Sequence, residues 1–283
     1  MNRVAEALEG KTILITGATG FLGQPLVEKI LWLVPGVRRI YLLIRPKREL
    51  DGRITTAQER LKKELFDSSV FGRLYRSHGS KARNLLEEKL FAVSGDISSE
   101  KLDLEPDTYR SLCREIDIVI NSAAVVSFDA PLDAALEGNG LSAGRIAEFA
   151  NACEGALLVH VSTAYVAGLA SEPASETIYH LASGEELRQP YPLRKFNNID
   201  QELEGLQAKI KNLKARVAEP SLKEALLRRA QRSTRGKRKT YKESLESLQS
   251  KWLQEQLSVE GMRWAQRRGW NDTYTYTKAI GEQ

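Results

Sequence analysis

Tyr274 and Lys278 are spaced as YxxxK, which on a helix puts both side chains on one face. An ammonium beside a phenol favours the phenolate, drawing a tyrosine from an ordinary pKa of about 10 towards working pH. Such a tyrosine can hand a proton to a carbonyl oxygen while hydride reaches the carbonyl carbon. Tyr276, two residues on, should point to another face, so Tyr276→Phe is expected to behave close to wild type. YxxxK on its own is frequent by chance. It gains weight from Ser162 and Thr163, which end an apolar run and offer hydroxyls to the same carbonyl oxygen.

A second constellation lies near the N-terminus. The β-rich run KTILIT (11–16) leads into TGATGFLG, where Gly17, Gly20 and Gly23 open a helical pattern. The spacing is GxxGxxG. Glycines there let the backbone turn tightly and approach a pyrophosphate seated on the helix N-terminus, with Thr19, Phe21 and Leu22 in the same loop. The second apolar run, RIYLLI (39–44), ends in Arg45-Pro46-Lys47-Arg48. An NAD-preferring site would carry an acid at that point. Guanidinium and ammonium groups suit a 2′-phosphate instead, so Arg45, Lys47 and Arg48 favour NADP(H). Asp96 and Ile97 follow the third strand signal, where adenine would lie. Ser122, Ala123 and Ala124 follow the fourth, where small residues let the backbone approach the cofactor. An Asx turn and a tight helix entry are the plainer readings of these two segments.

The elements needed to position these groups are visible as an alternation. Strand signals at 11–16, 39–44, 89–94, 117–121 and 156–162 are separated by helical patterns at 20–34, 55–66, 106–115 and 132–152. Repeated β-α-β units imply an α/β, doubly wound parallel sheet of Rossmann type, with ligands bound beyond the C-terminal strand ends. After Gly168 the alternation stops. Residues 172–194 read as a loop, 198–268 as strongly charged helix, and 271–283 as the start of a short helix. The whole chain reads as one Rossmann domain with a mainly helical insertion at 172–271.

Bulk properties limit the alternatives. The 283 residues are 42% hydrophobic and 28% charged, with a net charge of +5. That is an ordinary soluble composition with a mild basic excess. Cys113 and Cys153 are the two cysteines and lack metal-ligand spacing, so neither a disulfide framework nor a metal site is expected, and a reducing, cytoplasmic setting is. MNRVAEALEG has no apolar core or cleavage site of a signal peptide. No apolar stretch is long enough to span a bilayer.

TGATGFLG, GDI, NSAA, VSTAYVAG and YTYTK occur in that order, and together they resemble an extended short-chain dehydrogenase/reductase. More narrowly, ILITGATGFLGQPLVEKIL, IYLLIRPK, ERLKKELFDSSVFGRL and HVSTAYVAG resemble the reductase domain of fatty acyl-CoA reductases, particularly the bacterial type. The resemblance covers almost the whole chain. It implies that Thr163, with Ser162 beside it, holds the substrate carbonyl and that Tyr274 is the proton donor. Lys278 would tune Tyr274 and bind the nicotinamide ribose. Asn139 matches the asparagine that orders a proton-relay water, although Gly138 and Gly140 around it also read as a helix kink. The long connection before Tyr274 suits the acyl reductases. The family continues beyond residue 283, so the chain reads as a fragment cut at its C-terminus.

The expected activity is NADPH-dependent reduction of a long-chain acyl thioester, acyl-CoA or acyl-ACP, or of the fatty aldehyde, towards the alcohol. An extended-superfamily epimerase or dehydratase acting on a nucleotide sugar, and a catalytically silent NADP(H)-binding module, stay open as alternatives. The basic stretch 228–242 has a plain reading as a solvated helix or loop. Its functional alternatives are peripheral contact with an anionic membrane and docking of an acidic carrier. Nucleic-acid binding is not expected, since no recognition motif accompanies the charges.

Overall fold

The computed structural model describes residues 3–168, 198–234 and 241–283. Helix α1 (Arg3–Leu8) leads into strand β1 (Thr12–Thr16), helix α2 (Gly23–Leu33) and strand β2 (Arg39–Ile44). Two-residue strands β3 (Lys47–Arg48) and β4 (Ile54–Thr55) come next, followed by α3 (Ala57–Arg60), α4 (Gly72–His78), α5 (Lys81–Lys89) and β5 (Leu90–Ser94). Then come α6 (Pro106–Glu115), β6 (Ile118–Asn121), α7 (Leu132–Ala135), α8 (Ser142–Ala152) and β7 (Leu157–His160). The later described residues are helical: α9 (Ile199–Arg216), α10 (Pro220–Thr234), α11 (Tyr241–Arg268) and α12 (Thr273–Gly281). Contacts divide the chain into two compact units, Met1–Ala124 with Leu141–Ser162, and Val125–Gly140 with Thr163–Gln283.

The first unit holds a five-stranded parallel sheet in the order β5-β2-β1-β6-β7. This is the doubly wound Rossmann arrangement, with its switch in strand order between β1 and β6. The period-2 geometry of β1 explains its two-sided burial. Ile13 and Ile15 enter one core with Val27, Ile30, Leu42 and Leu61, while Leu14 enters the other with Val119, Ile146 and Phe149. Each fully buried side chain of this size contributes about 1.5–3 kcal/mol, which fixes the strand register. Cys113 and Cys153 are free thiols of this unit; burial pushes the Cys153 thiol up to about 12.

Two local expectations are corrected, and one element is added: after β2, Lys47 and Arg48 pair antiparallel with Thr55 and Ile54 in a short hairpin. The helix expected over 55–66 begins with a Thr56/Glu59 capping box, but after Arg60 it widens into a π-helical turn, Leu61–Phe66. The helix expected over 132–152 is interrupted likewise by a π-helical turn at Leu136–Leu141. Such wide turns occur often at functional sites, and this one contains Asn139.

In the second unit the threonine-rich α12 has low intrinsic helix propensity, and tertiary contacts hold it. Asp272 caps its N-terminus, Oδ1 accepting from the Thr275 N–H at 2.8 Å. Thr273, Thr275, Tyr276, Thr277, Lys278, Ala279 and Ile280 are all buried. Gly261 on α11 gives α12 room, since a Cβ there would lie 2.6 Å from Thr273 Oγ1. The proposed loop at 172–194 and most of the basic stretch 228–242 lie outside the residues whose side chains are described. Among the described residues, no helix is long and apolar enough to cross a membrane.

Candidate functional site

The first unit carries the dinucleotide candidates. Gly17 leaves β1 with φ of +72°, and a Cβ on it would lie 2.7 Å from the Ala123 nitrogen at the end of β6. Two strand ends can approach this closely because residue 17 has no side chain. Gly23 is buried at the start of α2, and a Cβ on it would collide with the Gly17 carbonyl. The Gly20 N–H donates to the Gly17 carbonyl at 2.9 Å, closing the turn. The α2 N-cap residue, Leu22, makes no side-chain cap. Phe21 is 98% exposed, and Leu22 is also largely exposed. The backbone around Gly17, Gly20 and Gly23 is therefore a tight turn that leads from β1 into α2.

The NSAA segment is spent on locking the loop. Ser122 Oγ donates to the Thr16 carbonyl at 2.7 Å, and the Ala123 N–H donates to Thr16 Oγ1 at 3.2 Å. Thr16 Oγ1 donates to Asn121 Oδ1 at 2.5 Å, and Asn121 Nδ2 lies 3.0 Å from His160 Nδ1. This polar ladder ties together the C-terminal ends of β1, β6 and β7. Ser122, Ala123 and Ala124 are half-buried beside it.

At the end of β2, Arg45, Lys47 and Arg48 are exposed. Arg45 pairs with Asp96 at 3.3 Å, and Lys47 with Glu49 at 3.6 Å. Exposed pairs of this kind contribute roughly 0–1 kcal/mol, so a phosphate can displace them. Asp96 also accepts from the Ser98 N–H at 2.9 Å, which is the Asx turn named as its plainer reading, and Ile97 is half-buried. The cation that sequence reasoning passed over is Arg60. It donates to the Arg45 carbonyl and, at 3.3 Å, to Thr19 Oγ1, and it pairs with Glu64 at 2.7 Å. Arg60 thus spans the glycine loop and the basic strand end. Its signal is only the (i, i+4) spacing to Glu64, which by itself marks an ordinary helix-surface pair. Gln24, donating to the Thr19 carbonyl and accepting from Ser68 Oγ, is a second overlooked brace.

The second unit carries the chemical candidates. Tyr274 and Lys278 lie within α12 at the spacing that shares a face. Tyr274 is half-buried, its ring edge-on to Phe128 with centroids 5.7 Å apart. Lys278 is 2% exposed, and burial holds its ammonium below the usual 10.5, with Glu282 opposing. Asn139 uses its whole side chain on this helix and the loop before α7. Its Oδ1 accepts from the Val125 N–H at 2.8 Å, and its Nδ2 donates to the Val125 carbonyl and to Thr277 Oγ1, each at 3.0 Å. Thr163 caps a 3₁₀ turn, Ala164–Ala167, its Oγ1 accepting from the Tyr165 N–H at 3.3 Å. That oxygen keeps its own proton to donate. Ser162, in the first unit, has a buried Oγ with no hydrogen-bond partner among the described residues.

Tyr276 corrects an expectation. It does face away from Tyr274, but it is fully buried and donates its hydroxyl to Glu202, so Tyr276→Phe is no neutral change. Burial and the Glu202 carboxylate push its phenol far above the ordinary range.

Lys278 gives a testable pH dependence. The unfolded chain keeps its proton up to about 10.5, whereas the folded chain releases it at lower pH. Between those two values the unfolded state binds more protons, so this group adds stability as pH rises. The penalty of burying the charge is fully present below the window. The stability of the wild type relative to Lys278→Met should therefore climb as pH rises towards 10.5, read from urea midpoints at successive pH values. A difference that stays flat would exclude the depressed lysine.

A family profile described as "Male sterility protein", an NAD-binding family, matches residues 15–283. "Fatty acyl-CoA reductase 2, chloroplastic" of Arabidopsis thaliana is 33% identical over 276 residues, 97% of this chain and 39% of the relative. "Fatty acyl-CoA reductase 1" of the same plant is 35% identical over 278 residues, 97% of this chain and 48% of the relative. "Alcohol-forming fatty acyl-CoA reductase" of Simmondsia chinensis is 32% identical over 284 residues, covering 100% of this chain and 49% of the relative. The chain spans less than half the length of these relatives. With the parallel sheet, the glycine loop and the YxxxK helix already in place, the chain belongs to the male sterility protein family, within the extended short-chain dehydrogenase/reductases.

Proposed function

We propose that this chain is the reductase domain, with 172–271 as an insertion within it, of an enzyme that uses NADPH to reduce a long-chain acyl thioester. Acyl-CoA is the favoured carrier, and the aldehyde formed first is the second substrate. The observation that carries the reading is α12, which keeps Tyr274 half-accessible and Lys278 buried on a capped and tightly packed helix. Exposed Val126 and Phe128, the latter against Tyr274, support an apolar acyl chain as the neighbour of the acid.

Bound NADPH would supply hydride, and the chain's own residues would do the rest. Gly17, Thr19, Gly20 and Gly23 would seat the pyrophosphate, and Arg45, Lys47 and Arg48, with Arg60 behind them, the 2′-phosphate. Asp96 and Ile97 would border the adenine, and Ser122, Ala123 and Ala124 would line the approach to the cofactor. The Thr163 hydroxyl, with Ser162 beside it in sequence, would hold the carbonyl oxygen while Tyr274 delivers its proton there. Lys278 would support the tyrosine and hold the nicotinamide ribose. The first reduction gives a hemithioacetal that releases the thiol and leaves the aldehyde, and repetition gives the alcohol. Asn139 would orient α12 through Thr277 and stand on the path that returns a proton to Lys278.

NADPH oxidation measured with palmitoyl-CoA, a long-chain aldehyde and a UDP-sugar tests the reading. Turnover is expected with the first two. Turnover with the UDP-sugar alone would replace the proposal by the nucleotide-sugar reading. Cofactor choice is tested separately. Charge-assisted bonds contribute about 1.5–3 kcal/mol, so Arg45→Ala should weaken NADPH binding roughly tenfold or more. NADH binding should barely change; equal weakening of both cofactors would remove the 2′-phosphate assignment.

A further inference from the structure

Helix α12 is held on the side opposite Tyr274 by a buried polar knot whose centre is Glu202, a residue of the helical insertion. Glu202, on α9, is 5% exposed. Its Oε1 accepts from Trp264 Nε1 at 2.7 Å and from Arg268 Nε at 2.9 Å, both on α11. Arg268 Nη2 donates to Oε2, and the Tyr276 hydroxyl donates to Oε1. One carboxylate thereby joins three helices. Gly205, one turn along α9, lies beside the Trp264 ring, where a Cβ would make ordinary contact at 3.4 Å from Cζ2. Trp270 closes the knot from the other side. It packs on the Tyr276 ring with centroids 5.6 Å apart and donates Nε1 to the Val166 carbonyl at 2.9 Å, in the turn that Thr163 caps.

Each helical residue advances about 100° around the axis, so Tyr276 lies about 200° from both Tyr274 and Lys278. Whatever fixes the azimuth of Tyr276 fixes theirs. Apolar packing tolerates small rotations of a helix, whereas directional bonds to a buried carboxylate do not, because a displaced donor leaves a buried charge short of partners. From this juxtaposition we infer that Glu202 is a positioning residue for proton delivery: it holds α12, through Tyr276, at the rotation that presents Tyr274 and Lys278. The inference rests on the reading of α12 as the helix that carries the acid. It also gives the insertion a task, since α9 supplies the carboxylate.

The experiment compares wild type, Glu202→Gln, Tyr276→Phe and Tyr274→Phe in single-turnover reduction of an acyl-CoA, with NADPH and with its 4-deuterated form, across pH. Rates are normalised to titrated NADPH-binding sites. Tyr276→Phe keeps the ring and its stacking on Trp270, so it carries the test even if Glu202→Gln folds poorly. Misplacement of reacting groups by an ångström can cost ~10²-fold, and a partial release of the helix should cost about tenfold per site. The isotope effect should rise and the pH-rate profile should shift. Wild-type rates, isotope effect and pH profile in Tyr276→Phe, with Tyr274→Phe inactive, overturn the inference and leave the function standing. A loss that merely follows the number of sites, at unchanged rate per site, assigns Glu202 to stability alone and also overturns it. A fully active Tyr274→Phe removes the reading of α12 itself, and the positioning role with it.

Discussion

Tyr274→Phe is expected to lower carbonyl reduction by ~10²-fold or more while NADPH still binds, the usual scale for losing a positioned acid. The change is clean because the ring stays. Tyr274 meets Phe128 edge-on, a contact that does not involve the hydroxyl, and among the described residues no hydrogen bond of α12 depends on that hydroxyl. Stability should therefore move little, and the loss should appear in kcat rather than in thermal denaturation. Steady-state rates on an acyl-CoA and on an aldehyde, with NADPH affinity measured by fluorescence, check it. Tyr274→Phe turning over both substrates at the wild-type rate would place the proton donor elsewhere. Tyr276→Phe cannot serve as the silent companion to this experiment, since it strips a donor from buried Glu202.

Gly17→Ala should have the second large effect. A Cβ at residue 17 meets the Ala123 nitrogen at 2.7 Å, and the backbone φ of +72° adds strain of roughly 1–2 kcal/mol for any side chain. Relief requires β1 and β6 to part at their C-terminal ends, which breaks the Thr16–Ala123 and Thr16–Ser122 bonds. NADPH binding should weaken roughly tenfold to a hundredfold, the scale of losing one or two charge-assisted backbone bonds. Gly10→Ala separates strain from collision. Gly10 has a φ of +69°, but nothing lies within 4 Å of its Cβ position, so it should lose a little stability and keep its cofactor affinity. Comparable affinity losses at both positions would show that strain alone accounts for the effect.

The parallel sheet was legible because its strands are short apolar runs separated by helical periods, the pattern of a sheet covered on both faces. The glycine loop and the Tyr274/Lys278 pair were legible because their spacing is local. What escaped was of two kinds. The π-helical turns at Leu61–Phe66 and Leu136–Leu141 differ from α-helix by a fraction of a residue per turn, too little for hydrophobic periodicity to register over six residues. The Glu202 knot escaped because its members stand far apart in the chain, and each alone reads as an ordinary residue of a charged helix. Tyr276 shows the cost: its face followed from helical geometry, but its buried partner did not. The cations of the basic strand end were plain in the sequence, whereas the hairpin made by Lys47–Arg48 with Ile54–Thr55 is too short to leave a strand signal.

The wide turn after Arg60 constrains how this part of the chain can change in length. A π turn holds about one residue more than an α turn of similar height. Arg60, just before it, reaches Thr19 and the Arg45 carbonyl, while Leu61, Leu65 and Phe66 within it fill the core beside β1 and β2. A residue added or removed here that the turn did not absorb would rotate everything beyond it by about 100°. Either Arg60 would swing off the glycine loop, or Leu65 and Phe66 would leave the core. The surplus residue thus works as a phase adjuster between a surface cation and an apolar floor. Insertions and deletions are tolerable instead at the hairpin tip, where Leu50 and Gly52 stand in open solvent and neither demand applies.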